Sequence, residues 1–366
     1  MSSENMDVNS KELEQLGQER KKYYELTLLA RVDEQYILTF KKYYGNLYEE
    51  ALDFNTRRND VIDGLRRGDD QLFELNEGWK GDKSVVLEAV SYDGNQLADA
   101  TEKLKDNYTI VKKAVSMDGL TLRYASERLR DDDNIVEKAV SMDGLTLGYA
   151  SERLQDDDNI VETAVSEDGL ALRCASKRLQ DNDEIVELAV LQNGLALRYA
   201  SERLQDNDNI VETAVNEDGL ALQYASERLQ DDDNIVETAV RMNGLALQYA
   251  SARLQDNDNI VETVVSVDGL ALQYVSERLQ DNDNIVEIAV RMNGFALQYA
   301  SERLEGNKRI VRFAVLENPV ILKYITDELM EDAEFLLSLI DLDENVIQFI
   351  SEEYIDFLRE FYKNSL

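Results

Sequence analysis

Apolar residues recur along this chain in two short helical stripes that alternate with polar loops. In "DGLALQYASERL", Asp218 to Leu229, residues Leu222, Ala225, Ser226 and Leu229 share one helical face, with Leu220 and Tyr224 beside them. That spacing predicts a first helix whose small Ala and Ser allow a close neighbour. In "DNDNIVETAV", Asp206 to Val215, residues Ile210, Val211, Ala214 and Val215 form a second stripe, and Glu212 and Thr213 face outward. The acids and amides ahead of Ile210 suit the N-cap and first turn of a second helix.

The pair repeats with a strict period. Glycine stands at 94, 119, 144, 169, 194, 219, 244, 269 and 294, and Asn318-Pro319 fills the next slot. Pro319 is the only proline, and proline prefers the first helical position, so the glycines read as N1 with the preceding Asp or Asn as N-cap. About twelve units run from residue 69 to the C-terminus, with degenerate ends from Asp70 and Glu344. A helix of roughly 10 residues spans about 15 Å and is not stable alone, so each unit must bury its stripe against the next. The expected fold is all-α, an α-solenoid or superhelix of two-helix 25-residue repeats, with an N-terminal helical cap or small bundle. The expected boundaries are 1–68 for that segment, 69–354 for the repeats and 355–366 for a capping tail. Equivalent residues should form rows about 10 Å apart.

Composition narrows the chemistry. The 366 residues include 75 acidic and 39 basic side chains, a formal net charge of -36, and no histidine. Such a charge repels nucleic-acid backbones and anionic lipid, and favours basic partners or cations. The absence of histidine excludes Ser-His-Asp, Cys-His and histidine-ligated metal sites. Cys174 is the single cysteine, so no intramolecular disulfide is expected, and no apolar run of about 18 residues offers a membrane span. The start "MSSENMDVNSKELEQL" lacks the basic and apolar regions of a Sec-type signal. The expected location is cytoplasmic, or a host cell reached by a Sec-independent route.

Each row admits a structural and a functional reading. Arginines at 128, 153, 178, 203, 228, 253, 278 and 303 complement helix ends and can pair with loop carboxylates; anion binding is the alternative. The tyrosine row at 124, 149, 199, 224, 249, 274, 299 and 324 reads as amphipathic packing, with Cys174 as a substitute lacking a nearby base. The acidic loops from 131, 156, 181, 206, 231, 256 and 281 end where "GNKR" (Gly306 to Arg309) reverses the sign. They serve capping and solubility, a basic partner, or a metal. The EF-hand pattern fails, because Ile210 and Val211 occupy the positions that need an oxygen donor and a glycine.

Copies differ at the outward position of the second helix (Lys113, Lys138, Thr163, Leu188, Ile288, Phe313), before the tyrosine (Arg123, Arg173, Arg198, Gln223), and in the connection between repeats (Arg241-Met242). Solenoids bind through such positions. The candidate partner-binding residues are Lys113, Arg123, Lys138, Arg173, Arg198, Asp206, Asp208, Asp231, Asp233, Arg241 and Arg291; catalytic, cofactor and metal residues are none.

The first 68 residues break the period and carry "KKYY" at Lys21 and Lys41. Tyr36, Ile37, Phe40, Tyr43 and Tyr44 fall at helical spacing, Gly45 suits the cap of that helix, and Asn46 with Glu49 opens another. "YGNL" at Tyr44 and "YEEA" at Tyr48 superficially resemble ligands of phosphotyrosine readers.

The unit "NGLALQYASERL" followed by "D..IV..AV" resembles the short α-helical repeat catalogued as domain of unknown function 4116. That resemblance implies a helical repeat fold and no activity, in a setting such as effectors of intracellular bacteria, large DNA viruses or protists. This chain departs by carrying "DNDN" or "DDDN" where such repeats mix lysine and glutamate. The functional expectation is a non-enzymatic scaffold for a protein partner, with basic partners favoured by charge and no direct nucleic-acid contact. An acidic rod that sequesters basic proteins, and a calcium-linked repeat, are the alternatives. The oligomeric state is not set by the sequence.

Overall fold

The computed structural model describes residues 52–365. The readings at Tyr36 to Glu49, including the motifs at Tyr44 and Tyr48, lie outside the described residues. The described chain is all-α, an α-solenoid of 25-residue repeats. It divides into two compact units, Met1–Glu167 and Asp168–Leu366.

In the first unit a helix over 52–67 ends at Gly68, whose φ of 73° supplies the left-handed turn. Gly68 N–H donates to the Leu65 carbonyl and Asp69 N–H to that of Gly64, closing the helix as a Schellman turn. Phe54 on this helix stacks on Trp79, with centroids 5.2 Å apart, and so covers the start of the repeats. Repeats then follow from Lys83–Tyr92 to Asp158–Glu167.

The second unit continues the plan from Gly169–Cys174 to a last helix, Glu352–Ser365. One repeat shows how the sequence builds it. Asn193 caps a 3₁₀-helix, Gly194–Tyr199, accepting from Leu195 N–H. Ala200 is extended (φ -66°, ψ 158°), and Ser201 then caps a separate turn, Glu202–Gln205, by accepting from Leu204 N–H. Asn207 caps the second helix, Asp208–Glu217, which buries Ile210, Val211, Ala214 and Val215 as its spacing requires.

The second helix thus forms as the periodicity predicts, while the first is made differently. The stretch read as one helix from Asp218 to Leu229 is a 3₁₀-helix, Gly219–Tyr224, a kink at Ala225 and a short turn, Leu229–Asp231. The physical reason is an inter-repeat backbone bond. Ser226 N–H leaves the helical path and donates to the Gln205 carbonyl of the preceding repeat at 2.9 Å. Leu222, Ala225 and Leu229 still reach the core, joined by Ala221.

Pro319 occupies the first helical position behind its cap, Asn318. The glycines of that class serve close approach. A Cβ on Gly119 would lie 2.7 Å from the Ala139 carbonyl oxygen of the next repeat, and one on Gly219 would overlap that of Ala239. Where Pro319 replaces glycine, the next second helix, Ala333–Leu342, carries Leu339 in place of that alanine.

Candidate functional site

The loop carboxylates come first, because they carry much of the negative charge. Arg228 donates from Nε to Asp206 Oδ1 at 2.9 Å, from Nη1 to Asp208 Oδ1 at 3.0 Å, and from Nη2 to the Asp206 carbonyl at 2.7 Å. Ser226 donates its hydroxyl to the same Asp206 oxygen. Asp206 therefore sits below its ordinary carboxylate value, first through Ser226 and then through Arg228; Asp208 is lowered by Arg228. Asp231 and Asp233 are held in the same way by Arg253, with Ser251 on Asp231. The staple recurs in the second unit at Asp181, Asp256 and Asp281, and in the first at Asp106 and Asp131.

It stops where the sequence changes. Gly81 and Gly306 replace the staple aspartate, and Thr101 and Thr326 replace the serine. Both threonine hydroxyls are buried without a hydrogen-bond partner among the described residues.

The candidate loop acids Asp206, Asp208, Asp231 and Asp233 are thus each engaged by a neighbouring repeat. Among the described residues, no group of three or more acidic or cysteine side chains is placed to hold a metal ion. The basic candidates are scattered. In the first unit Lys113 is half-buried, Lys138 is exposed, and the Arg123 guanidinium lies 4.5 Å from the Tyr124 ring centroid. In the second unit Arg173 stands beside the half-buried Cys174, which helps raise its pKa, and Arg198 lies between the Tyr199 and Tyr224 rings, at 5.8 and 5.9 Å. Arg241 pairs with Glu237 on its own helix. Arg291 pairs with Glu287 and lies 3.5 Å from the Phe313 ring centroid.

Two features were only partly legible in sequence, which marked Arg241-Met242 and the outward position of Leu188, Ile288 and Phe313 as variable but not the exposed rows they belong to. The first is the last position of the second helix. In three successive repeats of the second unit it holds Met242, Val267 and Met292, each about half exposed (55, 54 and 49 %); in the first unit it holds Tyr92 and Met117, while the equivalent Met142 lies in the turn after its helix, Asp133–Val140. The second is the outer stripe of each second helix, at positions i, i+3, i+4 and i+7. In mid-unit it reads Asn209, Glu212, Thr213, Asn216, but on Lys308–Glu317 it reads Arg309, Arg312, Phe313, Leu316. Arg309 shares Glu287 with Arg291, and Arg312 donates to the Ser338 hydroxyl at 3.1 Å. A shallow groove of about 430 Å³ borders this change, lined by Glu262, Glu287, Ile288, Arg291 and Arg309 among others. Comparison of single positions at offsets of 25 found the variation; taking the stripe positions of each copy together is the signal that would have found both.

Among the described residues, no helix is long and apolar enough to cross a membrane. No curated protein matches the chain, and neither does any solved structure. A family model described as a domain of unknown function, DUF4116, matches residues 82–130, 107–155, 132–180, 157–205, 207–255, 257–305 and 307–355. The matches tile the same 25-residue units whose capped helices and staples are seen here, and the chain belongs to the DUF4116 repeat family.

Proposed function

We propose that this protein is a non-enzymatic scaffold that docks a protein partner through the exposed ends of its second helices. One observation carries the reading: the row Met242, Val267, Met292 keeps large apolar side chains half exposed in three consecutive repeats. A folded chain seldom leaves such side chains in register at a surface unless something covers them, and methionine suits an adaptable contact. Arg241 and Arg291 stand one residue before Met242 and Met292 and supply a charged rim. The setting suggested by the family resemblance is an effector, or an effector regulator, of an intracellular bacterium.

The acidic loops have less to offer a basic partner, because binding there must displace an arginine already held at about 3 Å. The test is affinity capture on the full chain from eukaryotic lysate, with washes at low and high salt. Met242→Asp with Met292→Asp should abolish a salt-resistant capture while leaving the melting temperature nearly unchanged. Retention of every captured protein by that variant would refute the assignment.

A further inference from the structure

Two outer stripes of the second unit carry the same pattern with opposite charge. On Asp183–Gln192 the stripe is Glu184, Glu187, Leu188, Leu191; on Lys308–Glu317 it is Arg309, Arg312, Phe313, Leu316. Position by position, glutamate faces arginine twice and an apolar residue faces an apolar residue twice. Neither Glu184 nor Glu187 pairs with a cation among the described residues, and Leu191 and Leu316 are 52 % and 41 % exposed. In the unit's intervening second helices, apolar side chains do not fill both of the last two stripe positions: Thr213 and Asn216, Thr238 and Arg241, Thr263 and Ser266, Ile288 and Arg291.

We propose that these stripes bind each other across two copies of this chain. Within one copy they cannot meet, since both face outward and stand five repeats apart, about 50 Å at about 10 Å per repeat. Between copies, the two helices laid parallel place each guanidinium opposite a carboxylate and Phe313 and Leu316 opposite Leu188 and Leu191. Laid antiparallel, they place charge against leucine. A two-fold arrangement uses both contacts at once, residue i on j and j on i. Arginine and aromatic side chains are enriched at interface centres, and Leu188, Leu191 and Leu316 add apolar area beside them.

The net charge of -36 opposes association. At about 0.15 M salt the Debye length of about 8 Å confines that repulsion, leaving the matched contacts to act.

The test is sedimentation of the full chain at about 0.15 M salt over a wide concentration range. The wild type should dimerise, and Glu184→Arg with Glu187→Arg should weaken the dimer at least tenfold. Arg312→Glu alone, which leaves the Arg309 to Glu287 pair intact, should weaken it as well. Combining Glu184→Arg and Glu187→Arg with Arg309→Glu and Arg312→Glu should restore it to within about threefold, as re-matched charge across an interface does. A wild type that stays monomeric throughout, or a dimer indifferent to Glu184→Arg with Glu187→Arg, overturns the proposal. All these variants keep the Met242 row, so loss of the dimer with retained partner capture separates this contact from the docking reading.

Discussion

Arg228 and Asp206 belong to different repeats, 22 positions apart, yet the guanidinium Nε lies 2.9 Å from the carboxylate. With Ser226 on the same oxygen, the pair joins one repeat to the next and offsets part of the loop's negative charge. Both side chains are about half exposed, so each staple contributes modestly and the effect accrues by number.

The staple makes stability depend on acid pH with a fixed sign. Asp206, Asp231, Asp256 and Asp281 all titrate below their ordinary value of 3.8 in the folded chain, through serine and then arginine. A depressed carboxylate contributes stability above its unfolded value, and the contribution is lost as pH falls through the lower folded value. Asp206→Asn with Asp231→Asn should therefore lower the melting temperature slightly at neutral pH and leave it unchanged at the acid end. Parallel losses at all pH values would assign the effect to packing.

Glu305 offers the opposite sign. Gln205 and its equivalents donate an amide N–H to the carbonyl of a leucine eight residues back, as Gln205 does to Leu197 at 3.1 Å. Glu305 stands in that position and as a carboxylate cannot donate; burial, then Glu302, pushes its pKa up. A raised folded value means stability gained below the unfolded value and lost as pH rises through the folded one. Glu305→Gln should stabilise the chain at neutral pH by about 0.5–1.5 kcal/mol, the net worth of one hydrogen bond. The gain should shrink on acidification, as followed by chemical denaturation at several pH values.

Gly219 tests how closely the repeats approach. An alanine there would overlap the Ala239 carbonyl and lie 3.0 Å from Asn243 N. Gly219→Ala should cost about 1–3 kcal/mol, the usual range for overpacking. Gly306→Ala, whose Cβ meets its nearest backbone atom at 3.7 Å, should cost far less in the same denaturation assay.

Calcium should leave the thermal midpoint where chelator leaves it, because the loop oxygens that would bind it already hold Arg228, Arg253 and their equivalents. A ligand confined to the native state raises the midpoint. A rise of several degrees in millimolar calcium would contradict the staple as drawn.

Much of the repeat was legible in sequence. Pro319 gave the start of the first element, and the spacing of Ile210, Val211, Ala214 and Val215 gave the second helix, since capping and amphipathic period are local. The kink at Ala225 was not, because Ala, Ser, Glu, Arg and Leu are all compatible with helix continuation. The bond from Ser226 N–H to Gln205 is tertiary. Ser201 ahead of Glu202 is a visible N-cap signature that the period masked. The fate of the loop acids was only half legible: pairing with the arginine row was foreseeable, but not that Arg228 reaches back to the preceding repeat.

Recognition by the second-helix ends, as proposed, and recognition by the acidic loops predict opposite outcomes for two variants. Salt-resistant capture of protein from eukaryotic lysate would be measured with Met242→Asp, Val267→Asp, Met292→Asp in one variant and Asp206→Asn, Asp208→Asn, Asp231→Asn, Asp233→Asn in another. Loss in the first and retention in the second is the predicted result. Retention in the first and loss in the second would contradict it and return the binding surface to the loops.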